Sequence, residues 1–187
     1  MSGDETIEDD DCLATRRLVL RVARTGDAQA IALLANDRHI AEMTARIPHP
    51  YGIEDARRFL SSLGEERVFA VERRDDATFM GLVGLTPMPR DRTFELGYWL
   101  GRPFWGDGFA TEAAQAVIDH AFAGLGAECV EIRCRVVNGA SRRVVQKCGF
   151  QYSGTGMDVS LAAGRVASET YRMDRRCWQS LKAWGGR

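Results

Sequence analysis

Hydrophobic and polar residues alternate along this chain in two rhythms, and the points where the rhythm changes divide it into elements. From Arg17 to Val22, Leu18, Leu20 and Val22 occupy every second position, the period of a strand. Between Asp27 and Asn36, Ala28, Ile31, Ala32, Leu34 and Ala35 take helical spacing. Pro48-His49-Pro50-Tyr51-Gly52 breaks the chain before a second helical stretch, Glu54 to Leu63, with Glu54 and Asp55 in the first turn, where the helix dipole favours acids. Three strand-like runs follow, Arg67 to Glu72, Met80 to Thr86 and Thr93 to Leu100, with connections short enough for antiparallel neighbours. Ala110, Ala113, Ala114, Val117, Ile118 and Ala121 then form one apolar helix face, which Gly124 and Gly126 end.

Cys129 to Val137 returns to strand alternation, with Val130, Ile132, Cys134 and Val136 opposed by Glu131, Arg133 and Arg135. Asn138 is a helix N-cap, Ala140, Val144, Val145 and Cys148 form the buried face of a short helix, and Gly149 is placed to end it in a left-handed conformation. Phe150 to Val159 and Val166 to Met173 are the last strands. The pattern predicts one mixed, mostly antiparallel sheet of seven strands with about four helices on its faces, an α/β or α+β domain. The domain is expected over residues 14–180, with a flexible acidic tail at 1–13 and a short tail at 181–187.

Composition narrows the function. A chain of 187 residues with 45% hydrophobic content supplies one core without disulfides. The formal charge of -1 gives no general surface for nucleic acid or membrane. Of the 25 basic residues only Lys147 and Lys182 are lysines, and scattered arginine in such excess points to coding bias more than to one anion site. Five cysteines without a C-x-x-C pair argue against structural zinc or a disulfide framework, and the three histidines lack metal-ligand spacing, so no metal is expected. With no apolar run of membrane length and an acidic start unlike a signal peptide, a cytoplasmic location is expected.

Candidate chemistry concentrates at residues 95–113. There a strand runs into a turn bearing Gly106 and Gly108 and opens onto the amphipathic helix. The first turn of a helix has unpaired N–H groups and a partial positive charge, and glycine lets its backbone approach a phosphate closely. Taken alone, G-x-G more often marks a plain strand-to-helix turn, in which glycine only relieves strain.

The segment Trp105-Gly106-Asp107-Gly108-Phe109-Ala110-Thr111-Glu112-Ala113 resembles the coenzyme A signature of the GNAT superfamily of N-acetyltransferases, written Q/R-x-x-G-x-G/A. It is similar above all to the branch that acetylates ribosomal-protein N-termini (RimJ/RimL-like), with W-G-x-G-Y-A-T-E-A. One departure stands out: Pro103 occupies the Gln/Arg position, with Arg102 one residue away. Thr15-Arg16-Arg17-Leu18-Val19-Leu20-Arg21 is similar to the branch's opening T-x-R-L-x-L-R. Asn138 to Phe150 matches N-x-x-S-x-x-V-x-x-K-x-G-F, and Tyr171-Arg172-Met173 through Trp178 resembles its close. The resemblance spans roughly residues 15–178.

What the resemblance implies is a direct transfer in a ternary complex, in which an acceptor amine attacks the thioester of acetyl-coenzyme A and the coenzyme leaves as thiol. It implies the acyl-coenzyme A N-acyltransferase fold, with Thr93–Leu100 and Cys129–Val137 as parallel strands splayed at the cofactor. It places the backbone of Trp105, Gly106, Asp107, Gly108, Phe109, Ala110 and Thr111 around the diphosphate. Trp99 and Leu100 would lie along pantetheine, with Asn138 and Arg143 flanking the far side. The resemblance also implies a bulge at Gly97, whose freed N–H faces the thioester oxygen, and a thiolate-protonating role for Ser141. Glu95 is the candidate base: a charged residue between apolar neighbours on a central strand needs a cleft or a partner. An exposed strand glutamate, a plain N-capping Asn138 and a self-capping Ser141 are the bland counterparts. The acceptor is a protein N-terminus or a small amine such as a polyamine or aminoglycoside. A non-catalytic acyl-coenzyme A-binding module is the reading from another class. The resemblance allows a homodimer, and the sequence does not place its interface.

Overall fold

The structure, a computed structural model, describes residues 12–185; residues 1–11, most of the expected acidic tail, and residues 186–187 lie outside the described residues. One sheet holds eight strands: β1 (Cys12–Ala14), β2 (Leu18–Val22), β3 (Arg67–Arg73), β4 (Phe79–Pro87), β5 (Thr93–Leu100), β6 (Cys129–Arg135), β7 (Gln151–Ser160) and β8 (Gly164–Asp174). Their order is β1-β2-β3-β4-β5-β6-β8-β7. The helices are α1 (Ala28–Ala35), α2 (Arg38–Met43), α3 (Ile53–Ser61), α4 (Phe109–Asp119), α5 (Gly139–Cys148) and α6 (Arg175–Gly185).

All seven expected strands are present, each within two residues of its expected bounds. The eighth, β1, is a three-residue edge on β2, too short to carry a period, so positions 12 and 13 belong to the sheet rather than to a tail. Two helices also escaped the apolar pattern. The six residues of α2 span under two turns, and their start is fixed by Asp37, whose carboxylate accepts from the N–H of His39 (2.8 Å) and Ile40 (3.3 Å). In α6 the apolar positions are few, yet Trp178 stacks on Phe122 with ring centroids 5.3 Å apart, and its indole donates to Asp119 at 2.8 Å. Residues 181–185 are therefore helical rather than a tail. Within α5, Ala140 is exposed, and Val144, Val145 and Cys148 carry the packing alone.

Strand alternation divides the apolar residues between two cores. In β3, Phe69 and Val71 face one side, where α4, α5 and α6 pack, while Val68 and Ala70 face α1, α2 and α3. Full burial of a side chain such as Phe69 or Phe122 contributes about 1.5–3 kcal/mol, so these rows hold the layers together. The second core includes residues of β3 and β4 but none of β6, β7 or β8. On that face β6 and β8 present Glu131, Arg133, Arg135, Ser168, Thr170 and Arg172 instead.

Only β5 and β6 run parallel, and they pair at three positions: Thr93 with Cys129, Phe94 with Val130, Glu95 with Glu131. Beyond Glu95, β5 stays in register with β4 to Leu100, and β6 stays in register with β8 to Arg135. Each strand follows its outer neighbour, and the twist of the sheet draws the two apart. The expected bulge at Gly97 is absent: the β4–β5 ladder is unbroken from Phe94 to Leu100, with Gly97 opposite Gly84. Without a bulge the Gly97 N–H stays on the β4 side of the strand, as the bonds of Thr93 and Gly101 to the β4 side show for the same alternation, so it does not face the parting.

Candidate active site

From β5 the chain enters a 3-10 turn at Arg102–Phe104, then the glycine turn, then α4. Gly106 (φ 92°) and Gly108 (φ 82°) adopt conformations that a β-branched residue resists. The helix has no side-chain N-cap. Among the described residues, no protein group accepts from the main-chain N–H of Gly106, Asp107, Gly108, Phe109, Ala110 or Thr111. Consecutive unpaired donors at a helix start form a ready anion cradle.

The cradle is braced from the far end of the sequence. The Glu112 carboxylate, in the first turn of α4, accepts from Thr15 Oγ1 (2.6 Å), the Arg17 N–H (2.8 Å) and Arg17 Nε (2.7 Å). Arg17 Nη1 also donates to the Asp107 carbonyl at 3.0 Å, and its guanidinium lies 4.4 Å from the centre of the Phe109 ring. Burial pushes the Glu112 carboxyl upward, but the hydrogen bonds from Thr15 and Arg17 outweigh it and hold the group below the usual carboxylate range. Trp105 Nε1 donates to the Leu100 carbonyl at 2.7 Å, so that carbonyl already has a partner in the protein. Arg102 turns away, 3.6 Å from Asp37.

One face of the parting is lined by uncharged donors. Tyr98, on β5, points toward α5, and its hydroxyl donates to Ser141 Oγ at 3.0 Å. Ser141 is set by the cap itself: its N–H donates to Asn138 Oδ1 at 3.0 Å. Burial pushes the Tyr98 phenol up to about 12, with the Ser141 bond opposing, so the phenol keeps its proton at neutral pH. The Cys134 thiol on β6 is pushed up, chiefly by burial. Of the two adjacent arginines of α5, Arg142 is engaged by Glu169 (2.8 Å) and the Val136 carbonyl (2.6 Å). Arg143 is exposed and has no protein partner among the described residues.

The other face is charged. Glu95 accepts from Arg133 Nε at 3.1 Å and Nη2 at 2.7 Å, and Arg133 Nη1 donates to Asp158 of β7 at 3.0 Å. These side chains line a cleft of about 180 Å³ with Met43, Thr44 and Ser168. A neighbouring cleft of about 260 Å³ lies against Glu131, which is buried between Arg90 (2.7 Å) and Arg172 (3.0 Å).

Comparison with known proteins decides the family. Residues 17–151 match the model of the Acetyltransferase (GNAT) domain. The uncharacterized N-acetyltransferase YoaA of Bacillus subtilis is 30% identical over 156 residues, 76% of this chain and 84% of that protein. The chain belongs to the GNAT acetyltransferase family. A ribosomal-protein-serine acetyltransferase of Escherichia coli is 30% identical over 96 residues, about half of each chain. The solved Mycobacterium smegmatis RimJ, in complex with CoA-disulfide, superposes with a TM-score of 0.80 at 21% identity, over 94% of this chain and 95% of that one. That likeness shows the fold.

Within this GNAT domain the fold gathers the sequence-predicted residues at the parting and its rim. Gly106 to Thr111 form the cradle, while the Trp105 N–H is taken by the Arg102 carbonyl at 3.2 Å; Asn138 and Ser141 cap α5 across from β5; Glu95 stands on the opposite face. Trp99 packs against the core of α1 to α3. Two residues were missed. Tyr98 was legible as the β5 residue sharing the face of Phe94 and Leu96. Arg133 read only as the polar partner in an alternation, and its pairing with Glu95 joins positions 38 apart in sequence. Among the described residues no cluster of side chains could hold a metal ion, and no helix is long and apolar enough to cross a membrane.

Proposed function

We propose that this N-acetyltransferase moves the acetyl group of acetyl-coenzyme A to the N-terminal amine of a polypeptide, by direct attack in a ternary complex. The observation that carries the reading is the parting of β5 and β6, with an anion cradle and a protonated phenol on one face and a carboxylate on the other. The residues present fit the coenzyme. The unpaired amides from Gly106 to Thr111 suit its diphosphate, Arg143 adds a free positive charge, and the end of β5 beside Trp99, where Leu100 keeps its N–H for a partner although Trp105 takes its carbonyl, suits its amide-bearing arm. When bound, the coenzyme supplies an activated acetyl group.

The protein's own groups then meet the remaining needs. An ammonium has no lone pair, so Glu95 takes a proton from the acceptor, directly or through water, a role of about 10² to 10⁴ in rate. On the far face Tyr98 holds a proton at neutral pH, and its bond to Ser141 gives that proton a path to a departing thiolate. The start of α5 favours negative charge at the same place.

The shape of the acceptor side favours a polypeptide. A polyamine or aminoglycoside calls for unpaired carboxylates. Here Glu95, Asp158 and Glu131 each face an arginine, and the two clefts lie along a polar stretch of sheet, the first bordered by Met43 and Thr44. The test is thiol release from acetyl-coenzyme A with a panel of peptides, polyamines and aminoglycosides. Acetylation of peptide α-amines at rates well above those of the small amines is expected. Preference for a polyamine overturns the acceptor assignment, and absence of release with any amine overturns the activity.

A further inference from the structure

The carboxylate best placed to act as base is not free. Both its oxygens are gripped by one guanidinium, which occupies the place an incoming ammonium would take. The same guanidinium holds a second carboxylate. Arg133 uses Nε and Nη2 on Glu95, at 3.1 and 2.7 Å, and Nη1 on Asp158, at 3.0 Å. Three donors of its fork are thus divided between a residue of the parted strand β5 and a residue of the β7 edge strand.

We propose that Arg133 is a positioning residue that orients Glu95 before the acceptor arrives and is handed to Asp158 when it does. The inference rests on Glu95 being the base. Exposure makes the exchange feasible: the side chains of Arg133, Glu95 and Asp158 are 43%, 29% and 29% exposed, and ion pairs open to water contribute little net, so an incoming cation can displace the guanidinium. Asp158 gives the displaced charge a place to go without crossing the cleft. The other charged groups nearby are already engaged. Arg46 pairs with Glu66, Glu131 lies between Arg90 and Arg172, and Arg135 donates to the Glu42 carbonyl. Of these groups only the carboxylates could take Asp158's part, and neither Glu66 nor Glu131 can do so without leaving its own arginine.

The arrangement makes an unusual epistasis. In Asp158→Asn the guanidinium has no charged alternative and stays on Glu95, so kcat with a peptide acceptor should fall about tenfold. Arg133→Gln frees Glu95 but leaves it unoriented, and about a threefold loss is expected. The double variant should recover to the level of Arg133→Gln, because removing the guanidinium removes what Asp158→Asn left stranded. Coenzyme affinity by calorimetry and the thermal midpoint should be close to wild type in all three, since no residue of the cradle or core is touched. A double variant slower than Asp158→Asn, or wild-type kcat in Asp158→Asn, overturns the hand-over. Glu95→Gln measured beside them separates the two levels. If that variant turns over like wild type, the base assignment falls and the hand-over with it; if it is inactive while the other losses simply multiply, only the hand-over falls.

Discussion

The two faces of the parted strands satisfy their polar groups in opposite ways. On the face of α4 and α5, the groups at the parting itself are uncharged: six main-chain amides without a protein acceptor, and a hydrogen-bonded phenol–hydroxyl pair in which Tyr98 keeps its proton. On the other face every carboxylate near the parting has an arginine. Open, fixed dipoles receive an anion with no rearrangement, whereas ion pairs must be exchanged before a charged partner can enter. One side is built to bind, the other to be displaced.

The largest effect should come from breaking the open face. Gly108→Val places a β-branched residue at a φ of 82° and turns the amides of the cradle aside. Coenzyme affinity by calorimetry is expected to fall about 100-fold, the scale of losing one or two charge-assisted hydrogen bonds. Unchanged affinity would show that these amides do not grip the diphosphate. Next is the charged face: Glu95→Gln should lower kcat about 100-fold at neutral pH with coenzyme affinity intact. If affinity falls instead, the two faces do not divide binding from chemistry as argued.

A finer test lies within the open face. Ser141→Ala and Tyr98→Phe should each slow turnover about tenfold, and the double variant should be little worse than either, because the two act as one chain. Losses that multiply would show that the two residues act independently rather than as one chain. The smallest effect concerns the brace. The Glu112 carboxyl titrates lower when folded than when unfolded, so its contribution to stability is complete above the ordinary carboxylate range and is lost as pH falls through the depressed folded value. Glu112→Gln should therefore lower stability by about 1 kcal/mol at pH 7, and the gap to wild type should close at acid pH, read by thermal melting across that range.

Much of the open face was legible in the linear order of residues. Gly106, Gly108 and the alanine face of α4 are local features, with cause and effect within a dozen positions. The same holds for Asn138 and Ser141, three residues apart in one cap. The T-x-R and T-E-A segments each stood out, and the structure explains their company: Thr15 and Arg17 hold Glu112 from 97 and 95 positions away. The charged face was poorly legible. Glu95 drew notice for its charge, but Arg133 and Asp158 look like ordinary outward residues of alternating strands.

Periodicity, capping and turn chemistry act between near neighbours, and so the residues alone determined the seven long strands, the helix behind the glycine turn and the start of α5. What only the folded sheet decided is where β5 and β6 separate, that Tyr98 reaches Ser141, and that Arg133 stands between two carboxylates. Each of these depends on register between strands distant in sequence. A one-residue shift of β6 would exchange its Arg133 face for its Cys134 face, and no local pattern records which register wins.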